Sequence, residues 1–326
     1  MTDFIFITGS DLHISDNGPH ARLDDFKTTM LYKLSQMRMA CSKLKADAVL
    51  FAGDLYNLKT PTRNSHRLNQ ELIKEFKQFP CPIYLIEGNH DLTANKLESL
   101  EEQPLGVLFA DHTLTQLRSK VIEKNGHKIS LIGIPYTDYF GPEKLHIERE
   151  KDITVQICLL HIYAGRTSGN LFQDKIYGYD ELKNLPPDIF VLGHYHIDQG
   201  IYELEGKHFV NIGSMSRGTI ADEDIAHHPQ IGFIKISIDD DNKVTKILQS
   251  IKLKVRPAAE IFDLEKKDDL KKEKQEIQEF VEKLANEQLK KKDEPIKSIE
   301  EIIDSMDIAK AVRDKVMWYI NEATPK

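Results

Sequence analysis

Residues 188–198 read DIFVLGHYHID, an apolar run that ends in two histidines, His194 and His196, with one residue between them. In a strand, residues two apart lie on one face, so both imidazoles can act on the same thing bound at the strand's end. The same arrangement recurs along the chain. SDLH (10–13) puts Asp11 and His13 behind the run FIFIT, and AGD (52–54) puts Asp54 behind AVLF and Gly53. EGNHD (87–91) puts Asn89, His90 and Asp91 behind PIYLI, and LLHIY (159–163) puts His161 at the end of a further run. A lone histidine at a strand end is more often structural than a ligand, and an aspartate after glycine is more often a turn residue or a helix cap. That account would have to hold independently at five places. In open α/β sheets the carboxyl ends of the strands are where ligands bind.

The combined set holds two aspartates, one asparagine and four or five histidines, with no cysteine thiolate. Oxygen and imidazole donors without sulfur suit Mn²⁺, Fe or Zn²⁺ in an open catalytic centre. Seven ligands exceed the needs of one ion and match two. If Asp54 bridges them, the ions lie about 3.5–4 Å apart, the two-metal arrangement that hydrolyses phosphate esters.

The surrounding sequence supplies a frame for such a centre. Further runs, KISLIGIPY (128–136), HFVNIGS (208–214) and IGFIKISI (231–238), are rich in Ile, Val, Leu and Phe, as strands buried on both faces should be. Leu31, Leu34, Met37 and Leu44 form one stripe of a helix over about 22–45, and Leu68, Leu72, Ile73 and Phe76 one of a helix over about 64–78. Strand–helix–strand order predicts βαβ units at the front. The later runs follow one another closely, and Glu205-Gly206 between IYEL and KHFVN reads as a hairpin turn, so antiparallel additions are expected there. The fold class that results is α/β, with two packed mixed sheets flanked by helices.

After about residue 258 the composition changes: Lys, Glu and Asp dominate and glycine disappears. SIEE (298–301), a capping box, opens a last helix carrying Met306, Val316 and Trp318. The expectation is a catalytic domain over 1–258 and a charged helical extension over 259–326, either packed on the body or serving to dock a partner.

The formal charge of −8 argues mildly against a protein that coats nucleic acid, but not against an enzyme that cuts it, because bound cations change the local field. The three cysteines are scattered and odd in number, and the opening MTDFIFITGS reads as a first strand with no signal-peptide features. No apolar run reaches the roughly 18 residues of a membrane span. A cytoplasmic enzyme with no membrane partner is expected.

The blocks D-x-H, G-D, G-N-H-D, a lone H and G-H-x-H stand in this order over about the first 215 residues. In them the chain resembles the calcineurin-like metallophosphoesterase superfamily, whose fold is a four-layer sandwich. The resemblance implies Asp11, His13 and His196 on one ion, Asn89, His161 and His194 on the other, and Asp54 bridging. It makes His90, held by Asp91, the residue that stabilises developing charge or protonates the leaving oxygen. Within the superfamily, GDLYNLKTPT (53–62) and NIGSMSRGTIADED (211–224) resemble the SbcD-type nuclease subunit of double-strand-break repair. That resemblance implies a DNA exonuclease and endonuclease using two divalent ions, Mn²⁺ first, with Fe, Zn²⁺ or Mg²⁺ as alternatives. It also implies homodimerisation and an SbcC-like coiled-coil ATPase partner, since the chain carries no P-loop of its own. Two departures stand out: Asn57 occupies a place where some members carry histidine, and only about 70 residues follow the body, too few for the usual cap domain and partner helices together. Lys59, Arg63, Arg67, Arg166 and Arg217 are the candidate phosphate contacts. The alternative is a small-molecule or cyclic-nucleotide phosphodiesterase or phosphatase of the same superfamily with the same ions.

Overall fold

The computed structural model of the chain describes residues 1–19, 22–57, 64–137, 141, 144–145, 147–149, 151–171 and 174–264. The chain divides into two units, Met1–Phe262 and Asp263–Lys326. All but the first two residues of the second unit, including the helices expected there, lie outside the described residues, as do Lys59 and Arg63.

In chain order the first unit begins β1 (Thr2–Gly9), α1 (Phe26–Leu44), β2 (Ala48–Phe51), α2 (His66–Phe76), β3 (Ile83–Leu85), α3 (Pro104–Ala110) and β4 (Thr115–Gln116). It continues with β5 (Ser119–Lys124), β6 (His127–Ile134), β7 (Val155–Ile162), β8 (Ala164–Gly165), β9 (Gly169–Leu171) and β10 (Asp174–Gly178). The last strands are β11 (Ile189–His194), β12 (Gly200–Leu204), β13 (Lys207–Asn211), β14 (Gln230–Ile238) and β15 (Val244–Lys252). One sheet has the order β15-β14-β1-β2-β3-β4, the second the order β12-β13-β11-β7-β6-β5, and β8, β10 and β9 form a small third sheet.

The period-2 alternation of β1 decides how the layers meet. Phe4 and Phe6 point between the two large sheets, where they meet Leu50 and Ile86 of their own sheet and Leu131, Ile157, Val191 and Val210 of the other. Ile7, from the opposite face of β1, packs under α1 and α2 with Met30, Leu34, Leu68 and Leu72. The outer face of the second sheet, Leu160, Phe190 and Phe209, is covered by Tyr179 and Leu182. Each fully buried Leu or Ile contributes about 1.5–3 kcal/mol. The expected class, two mixed sheets flanked by helices, is the one observed.

Helix α1 starts where Asp25 accepts from Thr28 N at 3.0 Å, a cap worth about 1 kcal/mol. It ends at Lys45, in the left-handed region at φ 54°. Its buried stripe is Met30, Lys33, Leu34, Met37 and Cys41, whereas Leu31 and Leu44 are only partly buried. The buried face is thus rotated from the sequence expectation and takes in a lysine.

The second sheet also departs from expectation. Strands β6, β7, β11 and β13 run parallel, and only β5 and β12 are antiparallel additions. A parallel pair needs a crossover of about a dozen residues, and that length need not be a helix. Here the small third sheet forms part of the β7–β11 crossover. The β12–β13 hairpin matches expectation: Leu204 pairs with Lys207, and Glu205 and Gly206 both take positive φ (50° and 78°), as a type I′ turn requires.

Candidate metal centre

Strands β1, β2 and β3 run parallel, so their carboxyl ends lie side by side. Beyond them the chain stays paired: Asp11 N donates to Gly53 O, His13 N to Asp54 O and Ile14 N to Leu55 O at 2.9–3.1 Å. In the other sheet β7 pairs in parallel with β11, with His161 opposite Gly193. All five motif blocks therefore meet at one edge of the sandwich.

The ligand-type atoms fall into two clusters. Those of Asp11, His13, Asp54 and His196 lie within 4.8 Å of one another, and so do those of Asp54, His161 and His194. Asp54 belongs to both. Its Oδ2 lies 3.6 Å from His13 Nε2 and 3.3 Å from His161 Nε2. His196 Nε2 is 3.0 Å from His13 Nε2 and 3.6 Å from Asp11 Oδ1. Asn89 Oδ1 sits 3.3 Å from His161 Nε2.

Two observations test whether divalent ions fit. Asp54 Oδ2 is buried and has no hydrogen-bond partner, a costly state for a carboxylate oxygen. His161 Nδ1 faces the Ala52 carbonyl at 2.7 Å and donates to it, which leaves Nε2, facing Asp54 and Asn89, as the nitrogen an ion would take once its proton is lost. Unpartnered oxygen beside converging imidazole nitrogens, with no sulfur, is a metal-binding cluster of the dinuclear kind.

The electrostatics agree. Burial pushes the imidazoles of His13 and His194 down to about 3, so both are neutral ligands at neutral pH. Burial alone would raise Asp54 and Asp11. The charge of His161 nevertheless holds Asp54 well below the carboxylate range, and His196, 3.6 Å away, holds Asp11 at about 2. Against its own burial, His161 is raised to about 9 by Asp54, so an ion entering there must displace a proton.

The local backbone is bent to this purpose. Asp11, His13, Asp54 and His194 all take positive φ (53°, 49°, 54° and 81°), a conformation that costs a non-glycine residue energy and concentrates at functional sites. A Cβ on Gly193 would run into the Ala52 carbonyl and lie 2.9 Å from His161 Nδ1, and one on Gly88 would overlap Asp54.

His90 stands beside the first cluster, its ring edge-on to His13 with centroids 4.7 Å apart. Its Nδ1 faces the Asn57 carbonyl at 2.9 Å. Asp91 does not hold this ring, contrary to the sequence expectation. Its buried carboxylate accepts from Gly88 N (3.0 Å), Tyr56 N (3.1 Å) and Leu55 N (3.4 Å), tying the third motif loop to the second. Burial and the charge of Asp54 raise it to about 7.

The candidate phosphate contacts scatter. Arg67 is exposed and pairs with Glu71 within its own helix. Arg166 is exposed, bonded to the Gln199 carbonyl and lying over the Tyr202 ring. Arg217 is buried, at 5% exposure. Two tyrosines at the site went unread in the sequence: the rings of Tyr163 and Tyr136 lie 3.8 and 5.1 Å from that of His194. Tyr163 follows His161 by two residues and so shares its face, which was a usable signal. The carbonyls of Ala52 and Asn57 carry no side-chain signal at all.

The family model described as calcineurin-like phosphoesterase matches residues 10–198, more than half of the chain. Among curated proteins, the DNA double-strand break repair protein Mre11 of Methanocaldococcus jannaschii is 28% identical over 159 residues, covering 46% of this chain and 42% of its own. The protein of the same name from Saccharolobus solfataricus is 26% identical over 259 residues, covering 76% of this chain and 64% of its own. The chain spans less than two thirds of the length of these relatives. Among solved structures, a putative 5′-nucleotidase from Staphylococcus aureus superposes with a TM-score of 0.53 at 15% identity, covering 78% of this chain and 55% of its own, a likeness of fold.

Proposed function

The chain belongs to the calcineurin-like phosphoesterase family and is a metal-dependent phosphoester hydrolase, and on that footing we propose that it cuts the phosphodiester backbone of DNA. The observation that carries the choice of DNA is the run of curated relatives, four proteins at 24–28% identity that all bear the name DNA double-strand break repair protein Mre11. Asp11, His13 and His196 would hold one ion and Asn89, His161 and His194 the other, with Asp54 between them. Bound divalent ions polarise the phosphoryl oxygens and supply a nucleophile at neutral pH. Mn²⁺ is the first candidate.

The chain's own part is orientation and proton transfer. The Ala52 carbonyl sets the tautomer of His161, and the amide of His194 holds Asp11 through bonds of 3.0 and 3.2 Å to its two oxygens. His90 is committed at Nδ1 to the Asn57 carbonyl, which leaves Nε2 to meet the substrate. Protonated there, it donates to the leaving oxygen. Asp91 positions the loop that carries His90. The segment after residue 258 is proposed to bind an SbcC-like ATPase, and the body to form a homodimer.

A second reading, hydrolysis of small or cyclic diesters, is favoured by the net charge of −8 and by the burial of Arg217 away from solvent. The deciding experiment offers labelled single- and double-stranded DNA, bis-p-nitrophenyl phosphate and cyclic nucleotides to the enzyme with Mn²⁺. DNA cleavage that His90→Ala abolishes supports the nuclease. Turnover of the small diesters alone replaces it with the second reading.

A further inference from the structure

A second concentration of charge lies along α1, among residues that belong to neither ligand cluster. A cavity of about 500 Å³ is lined there by Asp25, the N-cap of α1, by Thr28, Thr29, Tyr32 and Lys33 of α1, by Arg217, and by residues 254–256 and Ile261. Lys33 is 1% exposed and Arg217 5% exposed. Lys33 donates to the carbonyl of Met215 at 2.6 Å and touches Met30 Sδ at 3.9 Å. Arg217 Nη2 donates to the carbonyl of Arg256 at 2.6 Å, and Arg217 Nε is buried with no partner.

Among the described residues neither cation has a carboxylate within ion-pair distance. The acids nearby are engaged elsewhere. Asp24 is clasped by both Arg22 Nε and Nη2, at 2.7 and 2.8 Å, with Arg256 Nη2 farther off at 3.6 Å, and Asp25 caps α1. Asp224 accepts from Thr219 N and Oγ1. Arg22 adds a third buried cation, with Nη1 donating to the Arg217 carbonyl at 2.6 Å. Isolated cations at such depth carry a large desolvation cost unless an anion joins them. Burial together with the charges of Arg22 and Arg217 holds Lys33 well below the usual lysine range, and an anion would reverse that. A backbone carbonyl answers one of the three protons of a lysine and one of the five of an arginine, so the bonds seen do not account for both residues.

We propose that this cavity binds a phosphomonoester of mononucleotide size, its phosphoryl group on Lys33, Arg217 and Arg256 and its body against Tyr32, Val255 and Ile261. A dianion matches the two buried cations through charge-assisted bonds. The volume lies in the range of small-ligand sites and exceeds what a bare phosphate would fill. The site is separate from the metal cluster and does not depend on the substrate proposed above.

The test is calorimetric titration of the full chain, stripped of metal with EDTA so that the metal cluster does not take up phosphate, with dAMP, inorganic phosphate and a 5′-phosphorylated oligonucleotide. Saturable one-to-one binding of dAMP, tighter than that of inorganic phosphate, is expected. Lys33→Met and Arg256→Ala should each weaken it roughly tenfold or more, as loss of a charge-assisted hydrogen bond does. The Arg256 side chain is 54% exposed, so that variant leaves the fold intact even if Lys33→Met does not. An oligonucleotide as tight as dAMP identifies the anion as a strand end, and a weaker one identifies a free nucleotide. No saturable binding of dAMP at millimolar concentration, or equal affinity in wild type and Arg256→Ala, overturns the proposal.

Discussion

Asp54 Oδ2 lies 3.3 Å from His161 Nε2, and this one oxygen has no hydrogen-bond donor although it is buried. It is the only ligand-type side chain shared by the two clusters of the described residues. Asp54→Ala is therefore expected to lose both ions and hydrolysis together. Metal analysis of the purified variant, beside its rate on bis-p-nitrophenyl phosphate, checks this; activity retained with full metal content would remove the bridging role.

The bond from His90 to Asn57 uses the backbone of Asn57 and not its side chain. Asn57→Ala should thus retain near-normal turnover. His90→Ala should keep its metal and lose about 10²–10⁴-fold in rate, the range of a lost general acid. Single-turnover rates with metal content measured in parallel separate the two, and metal loss in His90→Ala would reassign that residue as a ligand.

At Gly193 the limit is space. A Cβ there meets the Ala52 carbonyl and crowds His161 Nδ1 at 2.9 Å, so the backbone or the imidazole must move. Gly193→Ala is expected to cost about 1–3 kcal/mol in the metal-free protein, the cost of overpacking, and to weaken metal binding further. Chemical denaturation and metal titration of one preparation would show both effects, and an unchanged metal affinity would mean that His161 has room to adjust.

The Arg22–Asp24 pair gives a pH dependence. Burial alone would raise the carboxyl, but the two bonds from Arg22 and one from Thr29 hold it at about 2. Its pKa is lower folded than unfolded, so its contribution is full above about pH 4 and fades as pH falls towards 2. Asp24→Asn should be less stable than wild type by about 2 kcal/mol at pH 7, with the gap closing in acid. Urea melts of metal-free protein across that range test it, and a constant gap would show that the loss is one of packing.

Truncation tests the proposed role of the extension, and the structure moves the cut. Phe262 is buried and bridges to Arg22, so a chain ending near 260 would open the body, whereas one ending at Leu264 keeps it. The 1–264 chain is expected to hydrolyse bis-p-nitrophenyl phosphate at the full-length rate while failing to co-purify with an SbcC-like ATPase that the full chain retains. Insolubility of the truncated chain would assign the segment to the body instead.

The local pattern determined much of this protein. Alternation along FIFIT and AVLF set which side chains point between the sheets, and the strand-end positions of Asp11, His13, Asp54, His161, His194 and His196 marked them as candidate ligands, which parallel pairing then gathered into two clusters. Period and spacing are properties of neighbouring residues, and neighbouring residues are legible in a sequence. Partners chosen at long range are not. Asp91 serves three backbone amides instead of the His90 ring, β14 returns to pair with β1 across more than two hundred residues, and Lys33 is drawn inward to a carbonyl 182 residues away. Tertiary structure alone decided these, because carbonyls and amides look the same at every position and a charge shows its burial only once the chain has closed around it.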